Sequence, residues 1–128
     1  MTERRIYSTE TVWEEKVGYS RAMRVKDMIF VCGTTAVDDN GKVVAPGDLG
    51  KQADFIFKKI EKAIEALGGK MNQVVRNKVY VTDVSQFESF AKVHHKYFSK
   101  IKPNCTLVEI KGLVHPDMVV EIECDVVL

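Results

Sequence analysis

At 128 residues, 45% of them hydrophobic, 29% charged and with a net charge of +1, the chain has enough apolar material to close one core without disulfides or metal. The near-neutral balance gives no bulk field toward nucleic acid or an anionic membrane, and no stretch approaches the roughly 18 apolar residues of a membrane span. The opening MTERRIYSTETVWEE is too acidic and too interrupted for a secretory leader, so the expectation is a single domain over 1–128 working in the cytoplasm, its three cysteines reduced.

Two apolar runs, Tyr19–Val25 and Met28–Gly33, read as strands joined at Lys26-Asp27, a two-residue hairpin loop. Asn40-Gly41 can take the positive φ of a tight turn, which predicts a further short hairpin from Thr34–Val37 to Lys42–Val44. The period then changes. Ala53, Ile56, Phe57, Ile60, Ala63, Ile64 and Leu67 recur at helical spacing, with Asp48 the expected N-cap and Gly68 the stop. Beyond it, Val75, Asn77, Val79 and Val81 alternate with Arg76, Lys78, Tyr80 and Thr82 as on a strand. Ser85 and Glu88 have the spacing of a capping box at the head of a helix running from about Gln86 to Phe98. CTLVEI and VVEIECD supply two last strands, and the second puts Glu121, Glu123 and Asp125 on one face.

The order β-β-β-α-β-α-β-β, with only two helices, cannot cover both faces of a mixed sheet. The helices shield one face, and the other must be buried by further copies of the chain.

Candidate chemistry is sparse. His94 falls on the apolar stripe of the second helix with Phe87, Phe90, Ala91 and Phe98, either as a satisfied interior imidazole or as a cleft residue exchanging protons near neutral pH. His95 lies off the stripe, and His115 sits in a loop beside Pro116. Neither the histidines nor Cys32, Cys105 and Cys124 have metal-ligand spacing, so no metal and no cofactor is expected. A thiolate at Cys32 or Cys105 would need a lowered pKa and exposure to act as a nucleophile. No phosphate-binding loop, dinucleotide fingerprint or serine-hydrolase elbow is present.

VGYSRAMRV followed by DMIFVCGTTAV, the helix ending in ALGG, VVRNKVYVTDVSQFESF, and above all PNCTLVEI with VVEIECDVV resemble, in order and spacing, the Rid family of reactive-intermediate deaminases, also called YjgF-like proteins. The resemblance implies a chorismate-mutase-like α+β fold, a homotrimer and a small-molecule ligand in clefts between subunits. It also implies hydrolysis of an imine or enamine with release of ammonia. The family's water-positioning glutamate falls on Glu121, its cleft tyrosine on Tyr19, and its second-strand serine-glycine on Cys32-Gly33. His94 stands in the nearby aromatic position. The family's Pro-Ala-Arg-Ser reads here Pro103-Asn104-Cys105-Thr106, with Cys105 where a guanidinium grips substrate carboxylate. Arg21, Arg24 or Arg76 would then have to supply that charge. The expected catalytic set is Glu121, Tyr19 and His94, with Cys32, Gly33, Cys105 and Thr106 shaping the ligand site and Glu123 and Asp125 solvated. Two other readings are a trimer that binds a metabolite without turning it over, and a translation-inhibiting endoribonuclease, to which the near-neutral charge gives little support.

Overall fold

The computed structural model describes residues 2–128. Its element order is β1 (Arg4–Tyr7), α1 (Val12–Val17), β2 (Ala22–Val25), β3 (Met28–Thr34), α2 (Leu49–Ala66), β4 (Val74–Val81), α3 (Phe87–Phe98), β5 (Asn104–Glu109) and β6 (Val120–Val127). The six strands make one mixed sheet in the order β1-β2-β3-β6-β4-β5, parallel only between β4 and β5. Among the described residues no helix is long and apolar enough to cross a membrane.

The core lies between the sheet and α2 and α3. Ile56, Phe57, Ile60 and Ile64 of α2 are fully buried against Ile29, Val79, Ile122 and Val126 of the sheet. A side chain such as Phe57, with no exposed surface, holds the layers together by about 3–5 kcal/mol relative to alanine. The start of α2 is set as expected, since Asp48 Oδ1 accepts the Lys51 amide at 3.0 Å. Its end is set by Gly68, whose φ of +88° closes the helix in the left-handed region. Buried Gln52 binds the sheet's loops to α2, donating to the carbonyls of Ala45 (3.2 Å) and Asp117 (2.8 Å) and accepting from the Val119 amide (3.0 Å).

The fold class is the α+β one expected, but a third helix, α1, stands between β1 and β2 where none was expected, and three further local readings change. The third strand before α2 is Arg4–Tyr7, whereas the 34–44 segment makes only one isolated bridge, Val37 to Val43, around the Asn40-Gly41 turn. There Asp38 Oδ1 accepts the Asn40 and Lys42 amides, so a carboxylate satisfies the backbone that a ladder would otherwise pair. On β4 a bulge lies between Val74 and Arg76, so Val74 is buried and Val75 exposed. The capping box at Ser85 is not formed. Asp83 Oδ1 instead accepts both the Ser85 hydroxyl (2.5 Å) and its amide (3.0 Å), and a short 3₁₀ turn over Val84–Gln86 leads into α3. A capping box does occur at Thr11 and Glu14, at the head of α1.

Candidate active site

The antiparallel ladder between β3 and β6 runs in register from Met28↔Val127 to Val31↔Cys124, then resumes at Thr34↔Ile122. Two residues of β3, Cys32 and Gly33, therefore oppose the single residue Glu123 of β6. The bulge brings the backbone of β3 against the side chain of Glu121. A Cβ built on Gly33 would lie 2.8 Å from Glu121 Oε1 and 3.0 Å from its Cδ, so only glycine leaves that carboxylate where it is.

Arg21, immediately before β2, completes the group. Its Nη2 touches the Cys32 thiol and donates to the Gly33 carbonyl at 2.8 Å, while its guanidinium lies over the Tyr19 ring at 5.5 Å. Among the described residues the Nε of Arg21 is buried without a partner. Of the three arginines weighed above, this is the one beside Glu121. Arg24 is spent on the carbonyls of Leu67 (2.9 Å) and Lys26 (3.0 Å), and Arg76 on Asp125 (2.9 Å).

The acidic face of β6 thus divides. Asp125 pairs with Arg76 and Glu123 with Lys78 at 3.4 Å, so these two acids are tied across the sheet to β4 rather than simply solvated. Among the described residues Glu121 has no ion-pair partner. Burial pushes its carboxyl above the usual carboxylate range, opposed by the charge of Arg21 and reinforced by that of Glu123. A half-buried carboxylate with a raised pKa is suited to taking a proton from water and returning it.

The remaining expected residues do not join this group within one chain. His94 lies in the helix layer against Phe57, Phe90 and Phe98, its Nε2 3.1 Å from Asn77 Nδ2. Burial lowers its pKa, and among the described residues Asn77 Oδ1 is buried without a partner. Cys105 pairs in register with Asn77, and Thr106 with Lys78, both on the exposed edge strand β5. Glu121, Tyr19, Cys32 and Gly33 are brought together, then, while His94 and Cys105 fall on the far side of the sheet and Thr106 near its edge. The thiols are not activated: burial raises Cys32 despite Arg21, raises Cys105, and, with Asp125, pushes Cys124 up to about 12. No group of three His, Cys, Asp or Glu among the described residues could hold a metal ion.

Arg21 had only its place in the sequence to recommend it, one of three arginines on the strands expected from the sequence. Its separation of eleven residues from Cys32 across the Lys26-Asp27 hairpin was the available signal, because that loop sets the two opposite one another.

The sequence model of the family described as Endoribonuclease L-PSP matches residues 10–128. A RutC family protein of Pyrococcus abyssi is 31% identical over 105 residues, 82% of each chain, and Protein HMF1 of Saccharomyces cerevisiae is 30% identical over 95 residues, 74% of this chain and 73% of that one. Among solved structures, Rv2704 of Mycobacterium tuberculosis, described as a member of the YjgF/YER057c/UK114 family, superposes with a TM-score of 0.89 at 35% identity, covering 98% of this chain and all of that one. RidA from a Psychrobacter species gives 0.81 at 26% identity over 96% and 94% of the two chains. The matched length, the identities and the shared six-stranded architecture lead to one statement, that the chain belongs to the Endoribonuclease L-PSP family, the Rid or YjgF family of proteins.

Proposed function

We propose that the protein is a cytoplasmic hydrolase of reactive imines or enamines, working as a homotrimer whose clefts close over the sheet face that carries Glu121. The observation that carries this reading is the half-buried Glu121 carboxylate, lying against Gly33 with the Arg21 guanidinium beside it. In the proposed reaction Glu121 orients a water and takes one of its protons as the oxygen bonds to the imine carbon, and passes that proton to the imine nitrogen to give the carbinolamine. The carbinolamine hydroxyl then gives up its own proton, relayed by Glu121 to the amine nitrogen as the carbon–nitrogen bond breaks, and ammonia and a carbonyl compound leave. Arg21 holds a substrate carboxylate in place of the family arginine that Cys105 replaces, and Tyr19 steadies the guanidinium from its ring face. The assembly is supported by the partly exposed apolar side chains Met28 and Phe30 on β3 and Val108 on β5, which a second copy would cover. That copy could also bring its own β5, with Cys105 and Thr106, to the cleft, and His94 would lie behind that strand.

The test is ammonia release from imines generated in place by an amino-acid oxidase, compared between the wild-type protein and Glu121→Gln. Release above the spontaneous rate, lost in the variant, is expected. Equal background rates in both would overturn the catalytic reading and leave a metabolite-binding protein.

A further inference from the structure

A cavity of about 420 Å³ opens between α2, the end of β1 and the loop after β3, lined by Tyr7, Val37, Phe55 and Ala63 on its apolar side and by Arg21 and Lys59 on its polar side. This is the size range of a small-metabolite site. We propose that this cavity is a second ligand site, for a small organic anion in which a carboxylate is carried on a flat apolar body.

Three features converge on that ligand. The first is charge. Arg21, Lys58, Lys59 and Lys62 line the cavity against Asp38 and Asp39; Lys58 is paired with Asp54 at 3.2 Å, and Asp38 accepts the Asn40 and Lys42 amides of its own turn. Among the described residues neither Arg21 nor Lys59 makes an ion pair with a carboxylate, although both are part-buried. The second is an unspent donor. The Lys59 ammonium has three donors and places two, on the carbonyls of Val37 (3.1 Å) and Thr35 (3.4 Å), leaving one for a ligand. Those two bonds also hold the loop that walls the cavity. The third is mutual repulsion. Burial and then the charge of Arg21 push the Lys59 ammonium down from its usual pKa, against the pull of Asp39, Glu14 and Asp38, and an anion between the two cations would remove that penalty. Tyr7 and Phe55 supply the surface against which a flat body packs.

The cavity shares Arg21 with the proposed hydrolase site, so an anion in it would compete with a substrate carboxylate for that guanidinium, but its occupancy does not depend on turnover, since binding is measured with no imine present. Benzoate and its neutral counterpart benzamide serve as probes, followed by NMR shift perturbation and calorimetry on the full chain. Benzoate should bind and shift the amides of residues 35–38 and 58–63, with benzamide at least tenfold weaker. Lys59→Met should weaken benzoate at least tenfold, and Lys59→Arg should keep most of the affinity. Should Lys59→Met loosen the loop and fail to fold, Phe55→Ala, which removes the packing surface and no charge, gives the second reading and should weaken both probes alike. Failure of benzoate to bind the wild-type protein, equal affinity for the two probes, or shifts confined to residues 119–123 would overturn the proposal.

Discussion

The Glu121 carboxylate oxygen lies 2.8 Å from where a side chain on Gly33 would begin. That distance is shorter than a Cβ tolerates, but the group in the way is the end of a flexible side chain rather than backbone. Gly33→Ala should therefore fold with little loss of stability and still displace the carboxylate. Thermal melting within a few degrees of wild type, together with a fall in imine hydrolysis of about tenfold or more, is the expected pair of results.

Glu121→Gln separates charge from shape. Loss of a positioned general base should cost roughly 100-fold or more in rate. In the wild-type protein the rate should fall with acid through a pH above the ordinary carboxylate range, because burial raises this pKa. Stability should move the other way. The folded state holds this proton more tightly than the unfolded chain does, so ionisation costs stability as pH rises through the folded pKa, and the cost is absent below the unfolded one. The glutamine variant should melt higher than wild type at pH 7 and lose that advantage near pH 4; an unchanged or lower Tm at pH 7 would contradict the assignment.

Arg21→Gln tests the anchor. Against imines of one size, the variant should raise KM about tenfold for a carboxylate-bearing substrate and leave a neutral one within about twofold. A uniform loss across both substrates would mean that the residue serves structure alone.

Glu14 works in the opposite sense to Glu121. Burial would raise its pKa, but the hydroxyls of Thr9 (2.6 Å), Ser8 (2.8 Å) and Thr11 (2.9 Å) and the Thr9 amide (3.2 Å) outweigh it and hold the carboxyl at about 2. The stability it contributes is present above the unfolded value of 4.5 and is lost as pH falls toward about 2. Glu14→Gln should cost about 2 kcal/mol at pH 7, seen as a lower Tm and faster exchange of the Thr9 amide, with the difference from wild type vanishing in acid.

The thiols should be slow. All three are raised, so alkylation at pH 7 should be sluggish and should accelerate about tenfold per pH unit toward alkaline conditions. Exposed Cys105 should label first and buried Cys124 last. Rapid labelling of Cys32 at pH 7 would show that Arg21 wins over burial there.

Much of this architecture could be read from the chain because it rests on periodicity. The stripe from Ala53 to Leu67 allows only a helix, and the alternation of Val120, Ile122 and Cys124 with three acids allows only a strand buried on one side. What escaped were choices between near-equals. Val74 and Val75 are the same residue, so nothing local says which one the bulge turns inward. Asp83 and Ser85 both suit a helix start, and the carboxylate prevailed because it accepts two hydrogen bonds at once. RRIY carries no apolar alternation, and it becomes a strand because the free edge of β2 pairs with it. At the site, Glu121 and Tyr19 came from resemblance, while the partnership of Arg21 with Gly33 depends on a bulge that composition does not encode.

The placement of β6 governs how the molecule can assemble. It is the middle rail of the sheet, bonded to β3 on one side and to β4 on the other. Without residues 120–127 the remaining strands would separate into two ribbons, β1-β2-β3 and β4-β5, each with a raw hydrogen-bonding edge. Closing the gap requires pairing Met28 with Val127 across nearly the whole chain, a search that local helix formation cannot shorten. Folding should thus be limited by the docking of this one segment, and substitutions within it should slow refolding more than equally destabilising changes in α2.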